Sequence, residues 1–166
     1  PNWAKSADRM LGAMRKVRGM QWLGGGLAGR APDFHLLPRM RRMAQPRFTS
    51  TVAVRPLPEQ TDAAQQLYGF AYTVTIRNTG DVPAQLVARH WQINDHRGGV
   101  QQVRGLGVVG HQPLLKPGEQ FEYTSWAQIA TPQGSMQGRF FCITEDAHWF
   151  ESPVPEFALA DTAALH

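Results

Sequence analysis

From Phe48 onward the chain alternates apolar and polar residues in short runs broken by Gly, Pro, Asn and Asp, the pattern of half-buried β-strands. In the clearest run Tyr68, Phe70, Tyr72, Val74 and Ile76 alternate with Gly69, Ala71, Thr73, Thr75 and Arg77, which places the large apolar groups on one face. An earlier run, Phe48, Ser50, Val52 and Val54, is expected to stop at Pro56 and Pro58. Asn78-Thr79-Gly80-Asp81 supplies a turn, because Asn and Gly tolerate positive φ. A strand over 85–94 follows, with Val87, Trp91 and Ile93 on one side and Leu86, Ala88, His90 and Gln92 on the other. Asp95-His96-Arg97-Gly98-Gly99 then turns a hairpin into a strand over 100–109. Pro113, Leu114, Leu115 and the turn Lys116-Pro117-Gly118-Glu119 lead to a strand carrying Phe121, Tyr123 and Ser125. Next come Met136 to Thr144, with Phe140 and Cys142 opposed to Phe141 and Ile143, and a last strand from Trp149 to Leu159. Pro153 and Pro155 make that last strand an edge or an interrupted one, since proline lacks the N–H a central ladder needs. About seven strands, no helix and turn signals every 8–12 residues or so predict an all-β sandwich.

The first 46 residues have a different texture. They hold Lys5, Arg9, Arg15, Lys16, Arg18, Arg30, Arg39, Arg41 and Arg42 against Asp8 and Asp33, a balance of +7, whereas residues 47–166 balance to −3. The pI of about 9.7 is therefore a property of the leader, and nucleic-acid binding by the sandwich itself is not expected. The leader is predicted to hold at most one short amphipathic helix, around residues 4–19. Met43-Ala44-Gln45-Pro46, directly before the first β-run, reads as an ordinary protein start. The expected division is thus a basic, poorly structured extension over 1–42, read as upstream sequence without an evolved role, and one domain over 43–166. Organelle targeting, a nucleic-acid arm and a membrane-surface helix are the functional readings of the extension.

Hydrophobic residues make up 42% of the chain, enough for one substantial core. Every apolar run is broken well short of the roughly 18 residues that span a bilayer, so no membrane role is expected. The single cysteine, Cys142, cannot form an internal disulfide and reads as a small buried thiol suited to a reducing cytoplasm.

Three constellations carry candidate chemistry. Gly105-Leu106-Gly107-Val108-Val109-Gly110 has the spacing G-x-G-x-x-G, but His111-Gln112-Pro113 follows it where a dinucleotide site needs a helix. As a β-loop it could still present backbone amides to phosphate, with Arg104, His111 and Lys116 close in sequence. His90, His96 and His111 fall within one hairpin and its following loop and are the weak candidates for a metal; no H-x-H or H-E-x-x-H pattern supports them. Trp126 and Trp149 lie near strand ends, with packing at the core edge as the default and interface anchoring as the alternative. No catalytic constellation emerges: Cys142 lacks a flanking signature, Ser125 lacks nucleophile-elbow glycines, and Glu145-Asp146 read as turn residues. No enzyme activity and no cofactor are expected.

Several of these runs together resemble the bacterial ApaG family. The match is carried by Tyr68-Gly69-Phe70-Ala71-Tyr72-Thr73-Val74-Thr75-Ile76-Arg77-Asn78, Ala88-Arg89-His90-Trp91, Gly105 to Gly110, Gln112-Pro113, Leu115-Lys116-Pro117-Gly118-Glu119, Tyr123-Thr124-Ser125 and Gly134-Ser135-Met136-Gln137-Gly138. It leaves residues 1–42 outside. The resemblance implies a fibronectin type III or immunoglobulin-like sandwich, often dimeric, without a settled activity. It also implies a link by name to cobalt and magnesium efflux and a gene position beside a diadenosine tetraphosphate hydrolase. Similar domains in an F-box protein and in a DNA polymerase delta interacting protein suggest protein binding. The expectation is a non-enzymatic interaction domain with an unidentified protein partner, a second copy of the chain included. The alternatives are a phosphate or dinucleotide sensor using Arg104, Gly105, Gly107, Gly110 and His111, and an accessory role in cobalt and magnesium homeostasis.

Overall fold

A computed structural model of the chain describes residues 43–160. The 1–42 extension, with its expected helix around residues 4–19, lies outside the described residues, as does the stretch 161–166. The strands are β1 (Phe48–Asp62), β2 (Leu67–Asn78), β3 (Ala84–Asp95), β4 (Val100–Leu106), β5 (Leu114–Leu115), β6 (Gln120–Ile129), β7 (Gly134–Thr144) and β8 (Trp149–Leu159). They form two antiparallel sheets packed as a sandwich, one in the order β1-β2-β6 and one in the order β4-β3-β7-β8, with β5 paired to the start of β3. This is the predicted fold class, with a two-residue strand added.

The core is built from alternation. Phe70, Tyr72, Val74 and Ile76 of β2 are buried against Leu86, Trp91 and Ile93 of β3 and Met136, Phe140 and Cys142 of β7. Trp91 sits at the centre, edge-on to Phe140 at 5.7 Å and to Phe157 at 6.1 Å. Gly138 faces it on β7; a Cβ there would meet the indole ring and the His90 carbonyl, so the largest core side chain occupies the space that glycine leaves.

Two expectations are corrected. β1 runs through Pro56 and Pro58 to Asp62, because it is the outer strand of its sheet and a proline there removes no ladder bond from a central position. Its end is irregular, with a register shift between Leu57 and Asp62, after which the Asp62 carboxylate caps a 3-10 turn by accepting from the Ala64 and Gln65 amides. In β3 the assignment of Leu86 to the face opposite Trp91 fails. A bulge between Leu86 and Ala88 adds Val87 to the strand, so Leu86 and Trp91 both point inward although their parity differs. The prolines of β8 are as expected: it is an edge strand, with a register shift between Met136 and Gly138 of its partner.

The turns follow the residues that make them. Asp95 Oδ1 accepts from the Arg97 amide at 2.8 Å and the Gly99 amide at 2.7 Å, and Gly98 takes the positive φ of the β3–β4 turn. Asn78, almost wholly buried, donates to the Val82 and Leu115 carbonyls, both at 2.8 Å, and so fixes β5 to the end of β2.

Candidate functional site

The bulge that corrects β3 also positions the glycine loop. An extra residue leaves the Val87 carbonyl without a ladder partner, and it accepts instead from the Gly107 amide at 2.8 Å and from Gln112 Nε2 at 2.9 Å. Beyond Gly107 the chain makes a two-residue hairpin. Val108 N–H donates to the His111 carbonyl at 2.8 Å and His111 N–H to the Val108 carbonyl at 2.9 Å, with positive φ at both central residues, Val109 (47°) and Gly110 (79°). That is the pattern of a type I′ turn.

Each glycine of the G-x-G-x-x-G spacing therefore has a conformational reason of its own. Gly105 is extended in β4 under the Arg89 guanidinium, where a Cβ would approach Nη1 to 3.3 Å. Arg89 in turn donates to the Leu106 carbonyl at 3.1 Å and the Gly107 carbonyl at 2.6 Å. Gly107 has φ +59°, and a Cβ there would run into the His111 carbonyl. Gly110 supplies the second positive φ of the turn. The Gly107 amide is engaged by β3 and those of Val108 and His111 within the loop, which leaves the Val109 and Gly110 amides as the loop's donors without a backbone partner.

Val109 is an unexpected occupant of the turn, because a β-branched residue in the left-handed region costs roughly 1–2 kcal/mol. Its side chain is more than half exposed, so packing does not explain it. Val109→Asn is expected to raise stability by about 1 kcal/mol, or the melting temperature by about 3–6 °C. A thermal melt that shows no gain would mean that the turn relaxes around valine.

Of the other predicted site residues, His111 closes this loop and Arg104 lines a depression with Gly105 and Leu106, whereas His96 lies away from it. Arg104 stands on β4 in register with His90 and donates to Gln102 Oε1 at 3.0 Å. His96 belongs to the β3–β4 turn, its amide held by Thr131 Oγ1 at 3.1 Å, and the His111 ring packs on Phe121 with centroids 5.6 Å apart. Among the described residues no three His, Cys, Asp or Glu side chains converge as a metal site would require. Cys142 is fully buried, and burial pushes its thiol up to about 12, the wrong direction for a nucleophile.

The two lateral sides of the sandwich differ. Where β1 meets β8 the gap is closed by Phe48 edge-on to Phe150 at 5.6 Å and by Ser152 Oγ donating to the Phe48 carbonyl at 3.2 Å. Where β6 meets β4 the sheets part around a groove of about 500 Å³, whose lining includes Tyr72, Ile93, Val103, Trp126 and Leu67. β6 and β4 are the outer strands of their sheets here, and a hydrogen bond from Gln101 Nε2 to the Gln128 carbonyl at 3.2 Å spans the opening. Trp126 is 54% exposed and Trp149 59%, so core-edge packing, the default reading of both, is corrected. Both lie on outward-facing positions of edge strands, where a ring has a neighbouring strand on one side alone. Sequence reasoning flagged both tryptophans but missed the groove, since the adjacency of β6 and β4 arises only when two sheets stack.

Among the described residues no helix is long and apolar enough to cross a membrane. The ApaG domain (DUF525) matches residues 58–144. Over 124 residues the chain is 61% identical to Protein ApaG of Ralstonia nicotianae, an alignment that covers 75% of this chain and all of that protein. Over 110 residues it is 57% identical to Protein ApaG of Nitrosospira multiformis, covering 66% of this chain and 87% of that one. Among solved structures, a Bordetella pertussis protein described as ApaA is 54% identical, covers 70% of this chain and 95% of that one, and superposes with a TM-score of 0.68. None of these names a reaction.

Proposed function

The chain belongs to the ApaG domain family, and from that premise we propose that it is a non-enzymatic binding module that takes an extended segment of a protein partner into the open side between β6 and β4. The observation that carries this reading is the asymmetry of the sandwich. One lateral side is sealed by aromatic packing and a hydrogen bond; the other exposes Trp126, Val103 and Leu67 between two edge strands. Edge strands offer backbone donors and acceptors for a further strand, and a half-exposed tryptophan beside them offers the anchor that dominates such interfaces. A fully buried single thiol suits work in a reducing cytoplasm.

A photo-crosslinking residue at position 103, which leaves Trp126 in place, is expected to trap the partner in cells, and sedimentation of the purified chain tells whether that partner is a second copy. Trp126→Ala should then weaken binding to the trapped partner by about 30-fold or more, as loss of an aromatic hot spot of roughly 2 kcal/mol requires, while Trp149→Ala leaves it within about threefold. A partner bound equally well by Trp126→Ala would overturn the assignment.

A further inference from the structure

The outward face of the larger sheet carries a second feature, which borders the start of the glycine motif at Gly105 and Leu106. The strand registers set Arg104 of β4 opposite His90 of β3, and His90 opposite Arg139 of β7. Three nitrogen-bearing side chains thus stand in one row across adjacent strands. Facing Cβ atoms in such a row are about 5 Å apart, a spacing that the two flexible arginine side chains are long enough to span toward the histidine between them. The two arginines place positive charge on both sides of His90 with no opposite charge in the row, an arrangement that adds nothing to cross-strand pairing. They also stand out against their background, because residues 47–166 carry a net charge of −3.

The hydrogen-bonding capacity of the row is largely unfilled. Arg104 donates to the neutral Gln102, and Arg139 pairs with Glu151 at 3.1 Å, with about half of each side chain exposed. An exposed pair of that sort is worth little and is readily exchanged for a better acceptor. His90 Nε2 is buried without a hydrogen-bond partner, a state that ordinarily costs about 1–3 kcal/mol. His90 and Arg139 both line each of two adjoining depressions of about 360 and 530 Å³. The larger also contains Arg104, Leu106 and Phe141, the last two forming an apolar margin directly beside the charged row.

The geometry points to an oxyanion-binding site at Arg104, His90 and Arg139 that accepts a small molecule bearing a phosphate-class group next to an apolar or aromatic body. The guanidinium forks match the paired oxygens of such a group, and Phe141 and Leu106 cover the body. Glu151 is the competing anion: it holds Arg139 in the empty state and must give way.

The test is a calorimetric titration of the full chain with phenyl phosphate and with inorganic phosphate, at constant ionic strength. Saturable binding is expected for both, tighter for phenyl phosphate. Arg104→Gln and Arg139→Gln should each weaken it by about 10-fold or more, as loss of a charge-assisted hydrogen bond implies. Glu151→Gln should strengthen it several-fold, a gain that a misfolded variant does not produce. The site is overturned if neither ligand saturates by about 10 mM, the weak end of specific affinity. It is equally overturned if binding survives both arginine substitutions, or survives them and is lost in Val109→Pro, which would move the ligand to the amides of the glycine loop.

Discussion

Trp91→Ala is expected to cost about 3–5 kcal/mol and to leave the domain at or below the threshold of folding at 37 °C. The indole is 1% exposed and meets Tyr72, Phe140 and Phe157 in edge-on contacts, so it joins both sheets and three strands besides its own. Truncation removes the burial of a large aromatic surface and leaves a cavity whose walls are themselves rigid rings. The backbone cannot collapse to fill it, because His90 and Gly138 on either side are fixed by the β3–β7 ladder. Gly138→Ala probes the same junction from the opposite direction, by forcing a methyl group into the space the indole occupies. In the double variant Trp91→Phe with Gly138→Ala the smaller ring relieves the contact with the indole but not that with the His90 carbonyl, so the combined loss should fall short of the sum of the single losses by the indole's share alone. Urea denaturation of the four proteins measures this; strict additivity would show that the two positions do not share the space.

The legible parts of this protein are those in which one strand's own residues decide its geometry. β2 is central and half-buried, and the run from Tyr68 to Ile76 alternates without a break, so its inward face can be read directly. The Lys116-Pro117-Gly118-Glu119 turn is equally local, with Gly118 at φ +86° where a type II turn needs it. Val87 shows where local reading stops. Nothing in Leu86-Val87-Ala88 distinguishes a regular strand from a bulged one; the difference is which partner residues oppose it, and that is set by β7. One such residue reverses the assignment of Leu86, frees a carbonyl, and so fixes the path of Gly107.

The candidate sites divide in the same way. The glycine spacing is conspicuous in the sequence, yet a type I′ turn, a bulge contact and an arginine packed over Gly105 account for its positions. His90 and Arg104 share a hairpin, but Arg139 is remote along the chain, and only strand register places the three in a row. The open groove lies one level higher still, since it depends on how the edges of two sheets align. Trp126 and Trp149 could be flagged from the sequence for their size and position; their exposure follows from β6 and β8 being edge strands.

Raising the pH above about 9 is expected to destabilise the domain steeply, and the cause is the same dry core. Cys142 ordinarily titrates near 9.0 and is pushed up to about 12 by burial. Burial likewise raises Tyr72, opposed by the Ser125 side chain and the Arg89 charge, and raises Tyr123, with the neighbouring Tyr72 adding to the effect. In all three the folded state favours the neutral, protonated form, so between the ordinary value and the raised one the unfolded chain has released a proton that the folded chain still holds. Stability is therefore fully present below about pH 9 and falls as the pH rises, by about 1.4 kcal/mol per unit for each group that has begun to titrate in the unfolded state. For the thiol alone the loss near pH 11 is about 2–3 kcal/mol, and the tyrosines add to it from about pH 10 upward. That is a large share of the 5–15 kcal/mol typical of a domain. The urea midpoint should stay level from about pH 7 to 8.5 and then decline, with the first part of the decline absent in Cys142→Ala and the later part shallower in Tyr123→Phe. A second readout comes from the same thiol: its alkylation at pH 8 should proceed only through the opened form, and Trp91→Phe should accelerate it about tenfold for each ~1.4 kcal/mol of stability lost. Rapid alkylation of the native protein, or a midpoint unchanged up to pH 11, would show that the interior around Cys142 admits water and hydroxide.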